Sequence, residues 1–218
     1  MKRCFIFSDR DGTINKDENY YLGSDPEWRA QVEFLPGVVE GIKTINALLQ
    51  SFFYILTNQS GVALTGGQLD NLNLERMHEV NKFIISELIR MGAQVDGYYA
   101  CPYVDSNYAT AAAQKGQVVD TQFIVDGHAD IKPATGMIEK ALAAAQAVKG
   151  DSEIFVIGDR ANDVQMALNI GGTGILVQSP KTKELGDVEK VQAMSGKVFI
   201  ASDFLTAANY IKKSFNLK

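Results

Sequence analysis

Apolar residues are distributed along this 218-residue chain in two rhythms. Short unbroken runs of strand length fall at Cys4–Ser8, Phe52–Thr57, Gly97–Cys101, Ile154–Ile157 and Gly174–Val177. Between most of them lie longer segments with helical spacing: Val38–Gln50, Gly67–Met91, Ala134–Val148, Ala161–Ile170 and Asp203–Phe215. Gly92 and Gly150 stand where helix C-caps are expected. The stripe Leu69, Leu72, Met77, Val80, Phe83, Ile84, Leu88 and Met91 reads as the core-facing side of one helix rather than a ligand box. Strands alternating with helices predict an α/β fold with a doubly wound, mainly parallel sheet. A further strand, Lys197–Ala201, and a closing helix are expected to form a C-terminal extension over 180–218. The whole chain, 1–218, reads as one domain. Two stretches break the alternation, Ile14–Phe34 and Pro102–Ile131; loops this long in compact domains are usually functional.

Composition narrows the picture. With 46% hydrophobic and 22% charged residues, the chain can bury enough apolar surface to fold. A net charge of −5 argues against nucleic acid as a partner, since a phosphate backbone calls for a basic face. No run approaches the roughly 18 apolar residues of a membrane span. Two cysteines, Cys4 and Cys101, make no disulfide framework, and no apolar leader follows Met1. A cytoplasmic chain, monomeric or a weak homo-oligomer, is expected.

The chemistry lies at strand ends. The first run passes into Asp9-Arg10-Asp11-Gly12-Thr13, two carboxylates where a strand opens into a loop, the edge at which open α/β sheets bind ligands. One carboxylate can attack phosphorus, while a neighbour donates a proton to the leaving oxygen and later takes one from water. Such a pair repels a phosphate ester unless an oxygen-liganded cation is present, which points to Mg²⁺. The run Ile154–Ile157 leads into Gly158-Asp159-Arg160-Ala161-Asn162-Asp163, with Asp159 the expected direct metal ligand and Asp163 its support. Thr57-Asn58-Gln59-Ser60-Gly61 offers a hydroxyl and backbone amides to a phosphoryl group. Lys132 adds positive charge. Asn58, Gln59, Ser60 and Arg160 are candidate substrate-binding residues.

Taken in order, Asp9-x-Asp11, Thr57, Lys132 and Gly158-Asp159-x-x-x-Asp163 resemble the four motifs of the haloacid-dehalogenase (HAD) superfamily. Asp9–Asn15, Phe34-Leu35-Pro36-Gly37, Thr57–Gly61 and Gly158–Gln165 are similar to its heptose-bisphosphate and histidinol-phosphate phosphatase branch, over about residues 4–178. The resemblance implies Asp9 as nucleophile and Asp11 as general acid/base. It implies Thr57 and Lys132 on the phosphoryl oxygens, and Mg²⁺ held by the Asp9 carboxylate, the Asp11 carbonyl and Asp159. It also implies loops instead of a large cap domain. Three places depart from the branch pattern. Cys101-Pro102-Tyr103 and His128-Ala129-Asp130 replace paired zinc-ligand motifs, so no structural zinc is expected. Ile131 stands where an arginine usually accompanies the lysine, which weakens the case for the sugar bisphosphate itself. Tyr103, Tyr108, Gln114 and Lys115 are candidates to replace that contact. Tyr20, Tyr21 and Trp28 are read as loop packing ahead of a lid over the substrate.

The leading expectation is hydrolysis of a small phosphorylated metabolite, a heptose bisphosphate or related sugar phosphate. Histidinol phosphate or another non-sugar ester is the alternative substrate. A non-catalytic regulator that binds the phosphometabolite is the alternative of another class. A polynucleotide end-phosphatase fits the net acidity less well.

Overall fold

A computed structural model describes residues 2–16 and 21–216, so Tyr20 lies outside the described residues. Among the described residues, eight strands and eight α-helices follow one another. The strands are β1 (Arg3–Ser8), β2 (Ser51–Asn58), β3 (Leu64–Thr65), β4 (Gly97–Cys101), β5 (Val118–Val119), β6 (Ser152–Gly158), β7 (Thr173–Val177) and β8 (Val198–Ala201). The helices are α1 (Val38–Asn46), α2 (Leu74–Arg90), α3 (Ser106–Gln114), α4 (Gly136–Ala144), α5 (Ala161–Asn169), α6 (Pro180–Glu184), α7 (Asp187–Gln192) and α8 (Phe204–Asn216).

Six strands form one parallel sheet in the order β4-β2-β1-β6-β7-β8. Chain progression runs outward in both directions from β1, so the order reverses between β1 and β6. Residues of β1 after Arg3 are buried throughout, as expected for a parallel strand covered on both faces. Because side chains alternate across a strand, Cys4 and Ile6 enter one core while Phe5 and Phe7 enter the other. The first core is closed by α1, α2 and α8 through Ile42, Ile45, Val80, Ile84, Phe204 and Ile211. The second is closed by α4 and α5 through Met137, Ile138, Met166 and Ile170. Each such side chain, fully buried, contributes about 1.5–3 kcal/mol. The C-terminal segment belongs to this construction, since β8 pairs with β7 and α8 fills the first core.

The expected elements are present, with shifted ends. The segment Gly67–Met91 is two pieces: a 3₁₀ turn over Gly67–Asn71 and then α2. Asn73 separates them, its side-chain oxygen accepting the Arg76 N–H at 3.0 Å. Of the two expected C-cap glycines, Gly92 is left-handed as required, whereas Gly150 lies in a 3₁₀ turn. α4 is over by Ala144, with Gln146 taking the left-handed turn two residues on. The stretch Pro102–Ile131, expected as loop, holds α3, capped by Asp105, and β5, which pairs antiparallel with β3. Among the described residues the inserts are this helix and ribbon rather than a cap domain. The tail holds α6 and α7 besides the expected strand and helix. Trp28 is fully buried, edge-on to Phe83 at 5.4 Å and under the Arg29 guanidinium at 4.5 Å, and so packs its loop onto α2. Among the described residues no helix is long and apolar enough to cross a membrane.

Candidate active site

β1 and β6 are neighbours in register, so Asp9 and Asp159 leave the sheet side by side where strand order reverses. The crevice beyond strand ends at that point is where such sheets take ligands. The two acids come close because glycines make room. A Cβ at Gly12, itself left-handed at φ +83°, would stand 2.5 Å from Asp159 Oδ2. A Cβ at Gly158 would fall 2.3 Å from the Asp163 side chain, which α5 carries in its first turn against the end of β6.

Lys132, just ahead of α4 and nearly buried, joins this group. Its Nζ donates to Asp9 Oδ1 at 2.5 Å and to Asp163 Oδ1 at 2.7 Å. Asp163 Oδ2 accepts the Arg160 N–H at 3.3 Å, so both of its oxygens have protein partners. Asp159 differs: Ser179 Oγ donates to Oδ2 at 2.8 Å, while Oδ1 is buried with no hydrogen-bond partner. Asp9, Asp159 and Asp163 each offer an oxygen within 4.8 Å of the others. Two of these three carboxylates thus pair with one ammonium, and Asp159 does not. Burial, reinforced by Asp163, Asp159 and Asp11 and opposed by Lys132, pushes the Asp9 carboxyl well up. Burial and Asp163 push Asp159 up to about 6. Burial acts against the Lys132 ammonium, yet Asp163 and Asp9 together push its pKa up. An unpartnered buried carboxylate oxygen in an all-oxygen cluster with excess negative charge is a site that a hard divalent cation fits.

Asp11 faces the same pocket under different control. Arg10 Nε donates to its Oδ1 at 3.0 Å and Arg10 Nη2 to its Oδ2 at 2.8 Å. Asn15 and Gln59 add bonds at 3.1 and 2.8 Å. Burial alone would raise this carboxyl, but Arg10 and these amides hold it below the usual range. The Arg10 guanidinium is itself buried and donates to Asn81 Oδ1 of α2 at 3.0 Å.

Of the residues expected at the site, Asp9, Asp11, Asn58, Lys132, Asp159, Arg160 and Asp163 line one pocket of about 200 Å³. Thr57, Gln59 and Ser60 stand outside its wall. Thr57 Oγ1 accepts from Gln59 Nε2 at 2.7 Å, and Ser60 bonds to the Tyr108 phenol, which burial pushes up to about 12. Tyr108 therefore ties α3 to the loop after β2, while Gln114 and Lys115 are exposed at the end of α3. Cys101, His128 and Asp130 each have a protein contact. The Cys101 thiol meets the Tyr103 carbonyl at 3.9 Å, His128 stacks on Tyr103 with centroids 4.1 Å apart, and Asp130 pairs with Lys140. Sequence reasoning missed Asn162 and Lys181, which complete the pocket wall, and Arg10, Asn81, Ser179 and Thr182 behind it. Asn162 sits inside the Gly158-Asp159-x-x-x-Asp163 motif. Lys181 is visible only once α6 is seen folded back on Asp159.

A parallel sheet of this order with acids on adjacent central strand ends defines a HAD-like hydrolase, and the chain belongs to that family. The HAD-hydrolase-like family model matches residues 131–207. Its relatives make it a phosphatase, homologous to the heptose-1,7-bisphosphate 7-phosphatases. The D-glycero-beta-D-manno-heptose-1,7-bisphosphate 7-phosphatase of Rhodopseudomonas palustris is 31% identical over 174 residues, 79% of this chain and 82% of that one. The enzyme of the same name from Photorhabdus laumondii is 30% identical over 210 residues, 95% of this chain and 96% of that one. In fold, the chain matches a D,D-heptose 1.7-bisphosphate phosphatase from B. bronchiseptica, whose crystal structure is a complex with magnesium and phosphate. The TM-score is 0.72 at 21% identity, covering 98% of this chain and 99% of that one.

Proposed function

We propose that the chain hydrolyses one phosphate ester of a small sugar bisphosphate, of the heptose-1,7-bisphosphate kind, through a phosphoaspartate on Asp9. The observation that carries this reading is Lys132 bonded to Asp9 Oδ1 in the crevice where Asp11 and Asp159 also point.

In the first step an Asp9 carboxylate oxygen bonds to phosphorus as the ester P–O bond breaks. The electron pair leaves on the sugar oxygen, which takes a proton from Asp11. In the second, Asp11 takes a proton from water and the water oxygen bonds to phosphorus. The bond from phosphorus to Asp9 then breaks, restoring the carboxylate and releasing inorganic phosphate. Lys132 orients Asp9 and offsets charge on the transferring group, which Asn58 flanks. The bonds from Arg10, Asn15 and Gln59 favour the ionised form of Asp11, the form that accepts the proton of water. Donation to the leaving oxygen requires Asp11 to turn away from Arg10. Asp9, the Asp11 carbonyl and Asp159 would hold Mg²⁺, with Asp163 beside them. The ion supplies the positive charge that lets an anionic ester approach three carboxylates.

The test is phosphate release from heptose 1,7-bisphosphate, sugar monophosphates and histidinol phosphate in the presence of Mg²⁺. Asp9→Asn is expected to abolish release from every ester while leaving the circular dichroism spectrum unchanged. Retained turnover in that variant excludes Asp9 as the phosphoryl acceptor, and histidinol phosphate as the best substrate excludes the sugar assignment.

A further inference from the structure

We propose that Ser179 is a positioning residue for the divalent cation, holding the Asp159 carboxylate by one oxygen and leaving the other for the ion; the inference rests on the Mg²⁺ reading above. Ser179 follows β7 and caps α6, twenty residues beyond Asp159 in the chain. It is buried, and so is Thr182 one turn on. The Ser179 N–H donates to Thr182 Oγ1 at 3.0 Å and the Thr182 N–H to Ser179 Oγ at 3.1 Å, so the two residues cap each other. Each hydroxyl has a single proton to give, and both protons go to Asp159. Ser179 Oγ donates to the carboxylate at Oδ2, 2.8 Å away, and Thr182 Oγ1 donates to the backbone carbonyl at 2.6 Å. The Thr182 hydroxyl also lies 3.0 Å from Ser179 Oγ, but a carboxylate is the stronger acceptor.

The result is an asymmetry within the acid cluster. Asp163 has protein donors on both oxygens, and Asp9 Oδ1 accepts from Lys132. Asp159 is held on Oδ2 alone, while its Oδ1 is buried with no hydrogen-bond partner. The Gly12 turn crowds the held oxygen as well, since a Cβ there would lie 2.5 Å from Oδ2. With Oδ2 fixed between Gly12 and Ser179, the plane of the carboxylate is set, and with it the place of Oδ1. A carboxylate left to rotate has to be ordered as the ion binds, and that ordering is subtracted from affinity. Removing the hydrogen bond behind a metal ligand weakens metal binding by about 10–100-fold for this reason. The support is itself braced, because Arg160 Nε donates to Asp187 of α7 at 2.7 Å and ties the segment after β7 to the β6–α5 turn a second time. That segment thereby takes part in holding the cation through a residue that is not one of its ligands.

The experiment titrates Mg²⁺ into the full chain by calorimetry, with no phosphate ester present, and repeats the titration with Ser179→Ala, Ser179→Gly and Ser179→Thr. Glycine caps a helix nearly as well as serine but has no hydroxyl, so it separates the capping of α6 from the hold on Asp159. The Mg²⁺ Kd is expected to rise about tenfold in Ser179→Ala and in Ser179→Gly, with Ser179→Thr staying close to the unmutated chain. A Kd unchanged in Ser179→Gly overturns the inference and leaves Ser179 a helix cap alone. A Ser179→Thr variant as weak as Ser179→Gly overturns it too, because threonine restores the hydroxyl. An unmutated chain that binds no Mg²⁺ overturns the metal reading and this inference with it. A chain that binds Mg²⁺ with the expected dependence on Ser179 but releases no phosphate overturns the catalytic reading alone.

Discussion

Asp187 is buried at the start of α7 and accepts from Arg160 Nε at 2.7 Å and Lys190 Nζ at 2.9 Å. Burial opposes its ionised form, but these two cations overcome it and hold the carboxyl below the usual carboxylate range. A carboxylate with a depressed folded-state pKa stabilises the fold at pH above its unfolded value. That contribution disappears as pH falls through the lower, folded value. Asp187→Asn is therefore expected to lower stability by about 1–3 kcal/mol at pH 7. The difference in Tm from the unmutated chain should close as the pH is taken from 7 down past the ordinary aspartate value, about 3.9, and through the lower folded one. An equal Tm gap at both ends of that range would show that the contribution does not come from the charge. At this scale the acids Asp9, Asp11, Asp159 and Asp163 are legible in the sequence because each follows an apolar run or opens a helix. The grip of Arg10 on Asp11 is not, because it depends on a side-chain conformation and on Asn81, seventy-one residues away in the chain and adjacent in space.

α2 shows what local patterning can and cannot reveal. Its apolar stripe is clear, but so is the stripe of the preceding turn, and periodicity alone runs the two together. The break is made by Asn73, an exposed residue whose side chain competes for the Arg76 N–H. Asn73→Ala is expected to cost about 1 kcal/mol in urea unfolding, with the m-value unchanged. A loss under about 0.3 kcal/mol would mean that solvent caps this helix equally well. The short helices α3 and α6 carry similar signals, Asp105 ahead of an alanine-rich run and Ser179-Pro180, while Gly186-Asp187 opens α7. They are hard to read because they bury little: α3 encloses Ala112 alone and α6 encloses Thr182 alone. Their importance comes from what they touch, Ser60 through Tyr108 and Asp159 through Ser179, and such contacts join segments far apart in sequence.

For the molecule as a whole, the doubly wound order follows from strands alternating with helices, and the reversal between β1 and β6 explains why the acids of two distant motifs converge. What the alternation leaves open is the far edge. β8 and α8 complete the sheet and one core, so the C-terminal segment is part of the same cooperative structure as Asp9. The two cysteines sit at different depths of that structure. Cys4 is in β1, paired on both sides, and Cys101 is in β4 at the sheet's edge; both are fully buried, and burial pushes the Cys101 thiol up to about 11. Neither thiol meets an alkylating reagent until its strand opens, which makes the pair a built-in clock for the order of opening. Under native conditions with a thiol reagent in excess, Cys101 is expected to be modified well before Cys4, read by mass spectrometry of peptides from timed quenches. Simultaneous modification would show instead that the edge strand lets go only when the centre does, and that the sheet opens as one unit from rim to middle.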